Sequence, residues 1–248
     1  SLFFFFPFFS KSRTWTLKDG VVNSSPLSGD PRPGNAKFKK LTPVDENSAN
    51  PYTLTDDDRT VIGNTTPKFS GGFGLNATFK GFDVSAFFNF MYDFDVFNAN
   101  KVMMTTWASN NYNNFSMDIS AAKRWRNFDD MGNEIRYSPE ILAEFNKNAT
   151  MWNPTSIGRP IAMSYAVEDG SFLRLNTATI GYTLPRAWTN KVGLSRVRFY
   201  ASGYNLFTIT GYSGYDPEVD IATGLTPNID NNRYPRSRTY TFGVQLTF

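Results

Sequence analysis

Asp216 and Glu218 stand two residues apart across Pro217, and a pair of carboxylates is what a general acid and base in glycoside hydrolysis would need. A second acidic run, Asp56-Asp57-Asp58 before Arg59, offers oxygen ligands of the kind calcium takes, but it has equally the composition of a solvated turn. Beyond these the chemistry is narrow. The 248 residues contain no His and no Cys. Histidine acid–base work, Ser–His–Asp triads, zinc sites, thiolate metal sites and disulfides are therefore excluded within them. Asp216 and Glu218 also lack support, because both lie in one Pro-containing loop and no strand framework places a partner opposite them. The residues designate no catalytic, cofactor-binding or metal position, and the question becomes what the chain builds.

Composition narrows the answer. The formal charge is +3, with Lys and Arg scattered along the chain, so no nucleic-acid partner is indicated. Aromatics make up 17%, with 24 Phe and 12 Tyr, yet mean hydropathy is −0.38. Leu, Ile and Val are few, unlike an ordinary soluble core. Many rings on a polar average fit aromatic girdles and long polar loops, as in outer-membrane barrels. No apolar run reaches the roughly 18 residues that a membrane helix requires. Leu2–Phe9 is apolar but short and interrupted by Pro7, and its role does not follow from its composition. The chain opens on Ser1 rather than Met, and it is expected to be a piece of a longer protein.

The elements follow from periodicity. In the last ten residues, Tyr240, Phe242, Val244, Leu246 and Phe248 share one parity, and Thr239, Thr241, Gly243, Gln245 and Thr247 share the other. This is a closing strand, 239–248, with one oily and one uncharged polar face. A soluble sheet would turn the oil inward, and a transmembrane barrel would turn it outward to lipid. Residues 68–92 form a second signal: two alternating runs of about 11 residues around Lys80-Gly81, which reads as a β-hairpin of transmembrane strand length. Residues 171–209 hold two more strands, Phe172–Leu184 and Arg196–Ile209, joined by a compact connection. Gly203 marks an expected bulge. Phe172 shares parity with Arg174, and an arginine facing mid-bilayer lipid costs about 2–4 kcal/mol, so Arg174 is expected at or beyond the interface.

Three polar stretches separate these elements: 10–67, 93–170 and 210–238. The middle one carries two expected short helices, Asp118–Arg126 and the better supported one from Pro139, with Ser138 as N-cap and Pro at the first helical position. If the C-terminus lies on the short-turn side, all three long loops fall at the opposite end, which is the layout of an outer-membrane barrel.

At this point several motifs resemble a known family. Asp57-Asp58-Arg59-Thr60-Val61-Ile62-Gly63-Asn64-Thr65-Thr66-Pro67-Lys68-Phe69-Ser70-Gly71-Gly72 is similar to a repeated signature of SusC/RagA-type TonB-dependent transporters. So are Val167-Glu168-Asp169-Gly170-Ser171-Phe172-Leu173-Arg174-Leu175, Gly181-Tyr182-Thr183-Leu184-Pro185, Gly203-Tyr204-Asn205-Leu206-Phe207-Thr208, Gly214-Tyr215-Asp216-Pro217-Glu218 and Tyr234-Pro235-Arg236-Ser237-Arg238-Thr239-Tyr240-Thr241-Phe242-Gly243. They occur in the family's order, and the likeness runs from about Trp15 to Phe248. The family's Asp-rich calcium-like loop is altered here at Asp45–Leu54, where the Gly pair is gone.

The resemblance implies an all-β fold: a partial transmembrane antiparallel β-barrel, the C-terminal strands of a barrel of about 22 strands, with long extracellular loops containing short helices. It implies active import of glycan or peptide across a bacterial outer membrane and no enzyme activity. The implied partners are a SusD-like surface lipoprotein, the TonB complex acting through an N-terminal plug not in this chain, outer-membrane lipid and the barrel-assembly machinery, with no cofactor. In outer-membrane barrels the last alternating strand ending in Phe is the assembly signal, here Tyr240, Phe242, Val244, Leu246 and Phe248. The loop aromatics Trp107, Tyr112, Trp125 and Trp152 are candidates for substrate or lid-protein contact, because rings stack on sugar faces. The alternative for them is packing of loop on loop or a place in the interface belt. A passive porin or adhesin barrel and a soluble β carbohydrate-active domain are the competing functions.

Overall fold

The computed structural model describes residues 3–7, 13–14, 33–43, 47, 54, 56–107, 114–156, 162–219 and 227–248. Four strands precede the main sheet: β1 (Phe3–Pro7), β2 (Arg13–Thr14), β3 (Ala36–Lys37) and β4 (Arg59–Asn64). The Phe-rich start thus has a place: β1 lies antiparallel on β4, and β2 pairs with β3. The main sheet contains β5 (Phe69–Phe79), β6 (Phe82–Tyr92), β9 (Phe172–Thr183), β10 (Arg196–Thr210) and β12 (Thr239–Thr247). Its order is β12-β10-β9-β6-β5, and every pairing is antiparallel. Neighbours in the chain are neighbours in the sheet, so the sheet is an up-and-down meander with an edge at β5 and another at β12. No helix among the described residues is long and apolar enough to cross a membrane.

The register fixes which end carries the loops. Phe79 opposes Phe82, which in turn opposes Tyr182, and Arg196 opposes Thr247, so one end holds only the Lys80-Gly81 turn and the 184–195 connection with the short helix α3 (Arg186–Thr189). At the other end Phe69 opposes Tyr92, Met91 opposes Phe172, and Phe172 opposes Thr210. The long connections all leave from that end. Lys80 and Gly81 both have positive φ, 46° and 88°. This is the pair of left-handed residues that a two-residue hairpin requires if its twist is to match the strands.

The loops build their own structure. β7 (Asp95–Asn98), β8 (Val167–Asp169) and β11 (Ile229–Asp230) form a small mixed sheet in the order β11-β7-β8. Helix α1 (Ala99–Thr105) follows β7 directly, and the Asn98 side chain caps it by accepting from the Lys101 amide at 3.0 Å. Helix α2 (Pro139–Phe145) forms where Pro at its first position predicts, though Ser138 contributes its backbone carbonyl to Leu142 N–H rather than a side-chain cap. The helix expected over Asp118–Arg126 does not form. Met117–Ile119 is a single 3-10 turn, and the Lys123 carbonyl and the Trp125 amide are bonded to the backbone of Met151 instead. That segment buries only Ile119 before Trp125, which is no helical stripe.

The apolar clusters lie in these loops and at the loop end of the sheet, not under its two faces. Ala36, Phe38, Leu54, Trp152 and Met163 form one cluster, Trp125, Ile135 and Leu142 another, and Phe94, Val96, Phe172, Tyr212 and Val219 a third. The main sheet is turned inside out by comparison with a soluble one. Across its five strands Phe73 and Leu75, Phe82 and Val84, Ile180, Phe199, and Phe242 and Val244 share one face, and all are exposed. Phe242 is 79% exposed and Phe79 is 70%. A contiguous apolar face of this extent marks a surface made for a non-aqueous neighbour. The opposite face carries Thr241, Gly243 and Gln245, Ser202 and Tyr200, Thr179 and Gly181, Asp83 and Ser85, and Asn76 and Thr78, in register across the same strands.

Sidedness in β9 depends on an irregularity at Asn176. Phe87 opposes Thr177, but the next residue, Phe88, opposes Leu175. The extra residue reverses parity. Tyr182, Ile180 and Ala178 lie on the oily face before it, and Leu175 and Leu173 lie there after it, opposite Phe88 and Phe90. Arg174 and Phe172 thereby turn to the polar face. The constraint on Arg174 is met by this turn away from the oily face. In β10 the irregularity falls after Gly203, between Tyr204 and Phe207, where Asn205 takes φ +52°. Gly203 itself is paired normally with Ala178. Its role is space: a Cβ there would lie 2.5 Å from the Leu206 Cδ2 atom that folds back over it.

On the polar face, near the short-turn end, Arg198 of β10 reaches across β9 to Asp83 of β6, its Nε donating at 3.0 Å. The pair lies over Gly181, whose Cβ would meet Arg198 Nη2 at 2.4 Å and Asp83 Oδ1 at 2.7 Å. Gly181 is the gap through which a three-strand staple passes. Gly181→Ala and Asp83→Asn are each expected to lower stability by up to about 1 kcal/mol, the scale of a partly solvated pair. The double variant should cost little more than either alone, since both remove the same contact. Additive losses in an unfolding titration would refute the staple.

Candidate binding site on the loops

Five segments far apart in the chain are fastened together above the sheet. The buried Arg174 guanidinium, 2% exposed, donates through Nη2 to Asp216 Oδ1 at 2.5 Å and lies 3.7 Å from Glu218 Oε2. Glu218 also accepts from Arg236 Nη2 at 2.6 Å, and its own amide donates to Asp216 Oδ1 at 2.9 Å. Glu168 accepts from Lys101 Nζ at 2.9 Å, Ser213 Oγ at 2.8 Å and the Ser213 amide at 2.9 Å. The Tyr212 hydroxyl donates to the buried Asp230 at 2.6 Å, and Asn228 Nδ2 donates to the Thr65 carbonyl at 2.7 Å. The Asp95 carboxylate accepts from the Asn64 amide at 2.7 Å.

The titration of these groups follows. Burial pushes the Asp216 carboxyl up, but the hydrogen bonds from Arg174 and the Glu218 amide outweigh it and hold it below the usual carboxylate range. Glu168 has the same balance, with Ser213 and Lys101 prevailing over burial. Burial first, and Asp230 second, raise the Tyr212 hydroxyl well above its ordinary value, so it stays a donor. Asp216 and Glu218 are thus committed to two arginines. Acid–base catalysis needs a carboxyl free to exchange its proton with a substrate, and these two are anchors. Asp58 is likewise engaged: its Oδ1 accepts from Leu41 N at 2.8 Å, Thr42 N at 2.7 Å and Thr42 Oγ1 at 2.8 Å. That is a capped turn rather than an open ligand set.

The 93–170 loop also carries a cleft of about 390 Å³, lined by Trp107, Phe115, Trp125 and Phe128 and by Arg124, Arg126 and Arg136. Trp107 and Phe115 have ring centroids 5.7 Å apart and present a tilted pair of rings, with Trp107 44% exposed. The cleft is positioned by backbone bonds: the Trp107 amide donates to the Pro154 carbonyl at 2.9 Å, and the Trp125 amide to the Met151 carbonyl at 2.9 Å. Trp125 is seated against Gly34, where a Cβ would come within 2.1 Å of its ring. Its Nε1 is buried and has no partner.

Of the four loop aromatics expected to make contacts, Trp107 and Trp125 share this cleft. Trp152 does not reach it. It is 1% exposed and packs in the cluster with Phe38 and Met163, edge-on to Tyr165. Tyr112 lies outside the described residues. Tyr240, Phe242, Val244, Leu246 and Phe248 are all exposed along β12 and its end. Reasoning from residue types missed Arg174, Glu168, Asn228 and Tyr212 as the organising groups. Arg174 and Glu168 lie in one of the motifs and Tyr212 and Asn228 in none, and spacing along the chain does not say which segments meet.

The comparisons agree on one kind of protein. No family model matches the chain. It is 32% identical over 228 residues to TonB-dependent receptor P3 of Formosa agariphila, covering 90% of this chain and 20% of that protein. To TonB-dependent receptor SusC of Bacteroides thetaiotaomicron it is 32% identical over 164 residues, covering 60% of this chain and 15% of that one. The chain therefore spans about a fifth or less of these curated relatives. Among solved structures, the RagAB peptide importer in its closed-closed state matches with TM-score 0.63 and 25% identity, covering 87% of this chain and 21% of that chain. The open-open state of the same importer matches with TM-score 0.63 and 24% identity, over 99% of this chain and 22% of that one.

Proposed function

We propose that this chain, a stretch of the outer-membrane β-barrel of a SusC/RagA-type TonB-dependent receptor, forms the closing wall and part of the outer loops of an active nutrient importer. The observation that carries the reading is the five-stranded sheet with one unbroken oily face, one polar face and every long connection at one end. Lipid takes the oily face and the lumen takes the polar one. The loops, fastened to one another by the Arg174 and Glu168 clasps, form the outer mouth. A SusD-like lipoprotein covers that mouth, and the TonB complex acts through a plug domain encoded upstream. In this role the segment itself does no chemistry; it supplies wall, mouth and ligand contacts. What supports a wall over a carbohydrate hydrolase is that both acidic candidates are held in ion pairs. Dissipating the proton-motive force, or deleting TonB, is expected to abolish uptake by the complete receptor. Uptake that persists would indicate a passive porin.

The closing strand has a second role in this reading. Its exposed backbone edge and its alternating rings ending in Phe248 are what a templating sheet of the assembly machinery can pair with before the barrel closes. Deleting Phe248 from the complete receptor is expected to lower its outer-membrane level. The check is immunoblotting of outer-membrane fractions, and an undiminished level would exclude Phe248 as part of the signal.

A further inference from the structure

We propose that the cleft between Trp107, Phe115 and Trp125 binds an acidic saccharide, a uronate-bearing oligomer. The proposal rests on the importer reading above and narrows its substrate class. The lining has hydrogen-bond donors to spare and few acceptors. Arg124, Arg126 and Arg136 all border the space. Arg126 is shared with Asp130, which is 80% exposed and outside the lining, and Arg136 approaches Glu134 at 3.2 Å. No carboxylate among the described residues is paired with Arg124. Trp125, 7% exposed, contributes ring surface to the lining, while its Nε1 is enclosed beside Gly34 and does not face a ligand.

Of the side-chain acceptors that border the cleft, Asp129 and Asn153 are already engaged, which leaves Asn127 and Thr155. Asp129 takes the Asn133 amide at 2.7 Å, Asn133 Nδ2 at 2.9 Å and the Met131 amide at 2.9 Å. Asn153 Oδ1 takes the Thr155 amide at 3.0 Å and its hydroxyl at 2.8 Å. A guanidinium desolvated by a ligand that offers it no partner is costly, so the site favours a ligand that brings acceptors. A carboxylate meets a guanidinium with two parallel bonds, the strongest pairing the lining offers. The exposed Trp107 ring gives a flat apolar platform beside it, matched by the C–H face of a pyranose ring. A peptide brings backbone N–H groups that this lining does not answer, and a neutral sugar leaves Arg124 without a counter-charge.

The test uses the complete receptor purified in detergent and isothermal titration at low salt. Tetragalacturonate is expected to bind, and its fully methyl-esterified form to bind at least about tenfold more weakly, the loss expected for charged hydrogen bonds. Arg124→Gln should weaken the acid about tenfold and leave the ester unchanged, while Trp107→Ala weakens both. Equal affinity for acid and ester, no effect of Arg124→Gln, equal binding of tetraglutamate, or no binding of tetragalacturonate would each overturn the proposal. The importer reading is judged separately: TonB-dependent uptake indifferent to uronates sinks only the cleft proposal, and absence of any TonB-dependent uptake sinks the reading beneath it.

Discussion

Phe242→Arg is expected to destabilise the inserted barrel by about 2–4 kcal/mol, the cost of an arginine facing lipid near mid-bilayer. Thr241→Arg, one residue away, should cost far less. Phe242 lies mid-strand in β12, 79% exposed, on the face it shares with Ala201 and Ile180. Thr241 pairs with Ser202 on the other face, and Ser202 in turn meets the Thr179 hydroxyl at 2.8 Å. A guanidinium there meets hydroxyls and lumenal water. Denaturant unfolding of the complete receptor reconstituted in lipid vesicles reads the difference directly. A soluble sheet with a buried polar layer predicts the reverse order, so equal or inverted costs would rule out the lipid-facing assignment.

Arg174→Met is expected to have the second large effect, about 3–5 kcal/mol, because it leaves the largely buried Asp216 without its cation, while Glu218 keeps Arg236. The loss is local. Asp216 and Glu218 hold the 211–219 segment down on β9, and Arg236 then fastens the approach to β12 through Glu218. Limited proteolysis should cut within 211–219 in the variant and spare that segment in the parent, with β-sheet content retained. Undiminished protection would show that the ion pairs do not hold the loop. The same clasp makes the mouth acid-sensitive in a defined direction. Asp216 is depressed below its ordinary value of 3.8 in the folded state. Its contribution is therefore complete above that value and lost as pH falls through the lower, folded one. The parent's proteolytic protection should weaken only under strongly acidic conditions, and Arg174→Met should abolish that dependence.

The strands were legible in the sequence because alternation is a local property. Phe69–Phe79, Phe82–Tyr92 and Thr239–Thr247 carry it almost without error, and the Lys80-Gly81 turn carries its own backbone signature. The alternation of β10 shifts after Gly203 in the sequence, and the register irregularity does fall there, at Asn205 and Leu206, with the glycine making room for the Leu206 side chain. The sequence is less informative where no alternation exists. Asp118–Arg126 read as a weak helix because Ala121, Ala122 and Arg124 favour one, but backbone bonds to Met151 prevail. The loop sheet of β7, β8 and β11 was invisible, since strands of two to four residues are held by partners about 70 to 130 residues away. The cleft was half legible. Trp107 and Trp125 were singled out by type, but only folding shows that Trp152 supports the loops from within and that three arginines converge beside the other two rings.

Asn176 deserves a last comparison, with translation. Sidedness along β9 is written in two reading frames, even-numbered residues outward from Tyr182 to Ala178 and odd-numbered ones outward at Leu175 and Leu173, and Asn176 is the junction. Pairing Asn176 regularly, with the irregularity ironed out, would be equivalent to a frameshift in space. Every residue from Phe172 to Leu175 keeps its identity and its strand, yet each is delivered to the wrong solvent: two leucines to the lumen and an arginine to the lipid, with its two carboxylates abandoned on the far side. The unpaired extra residue, more than any residue type, is what lets this stretch of wall turn its leucines out and its arginine in.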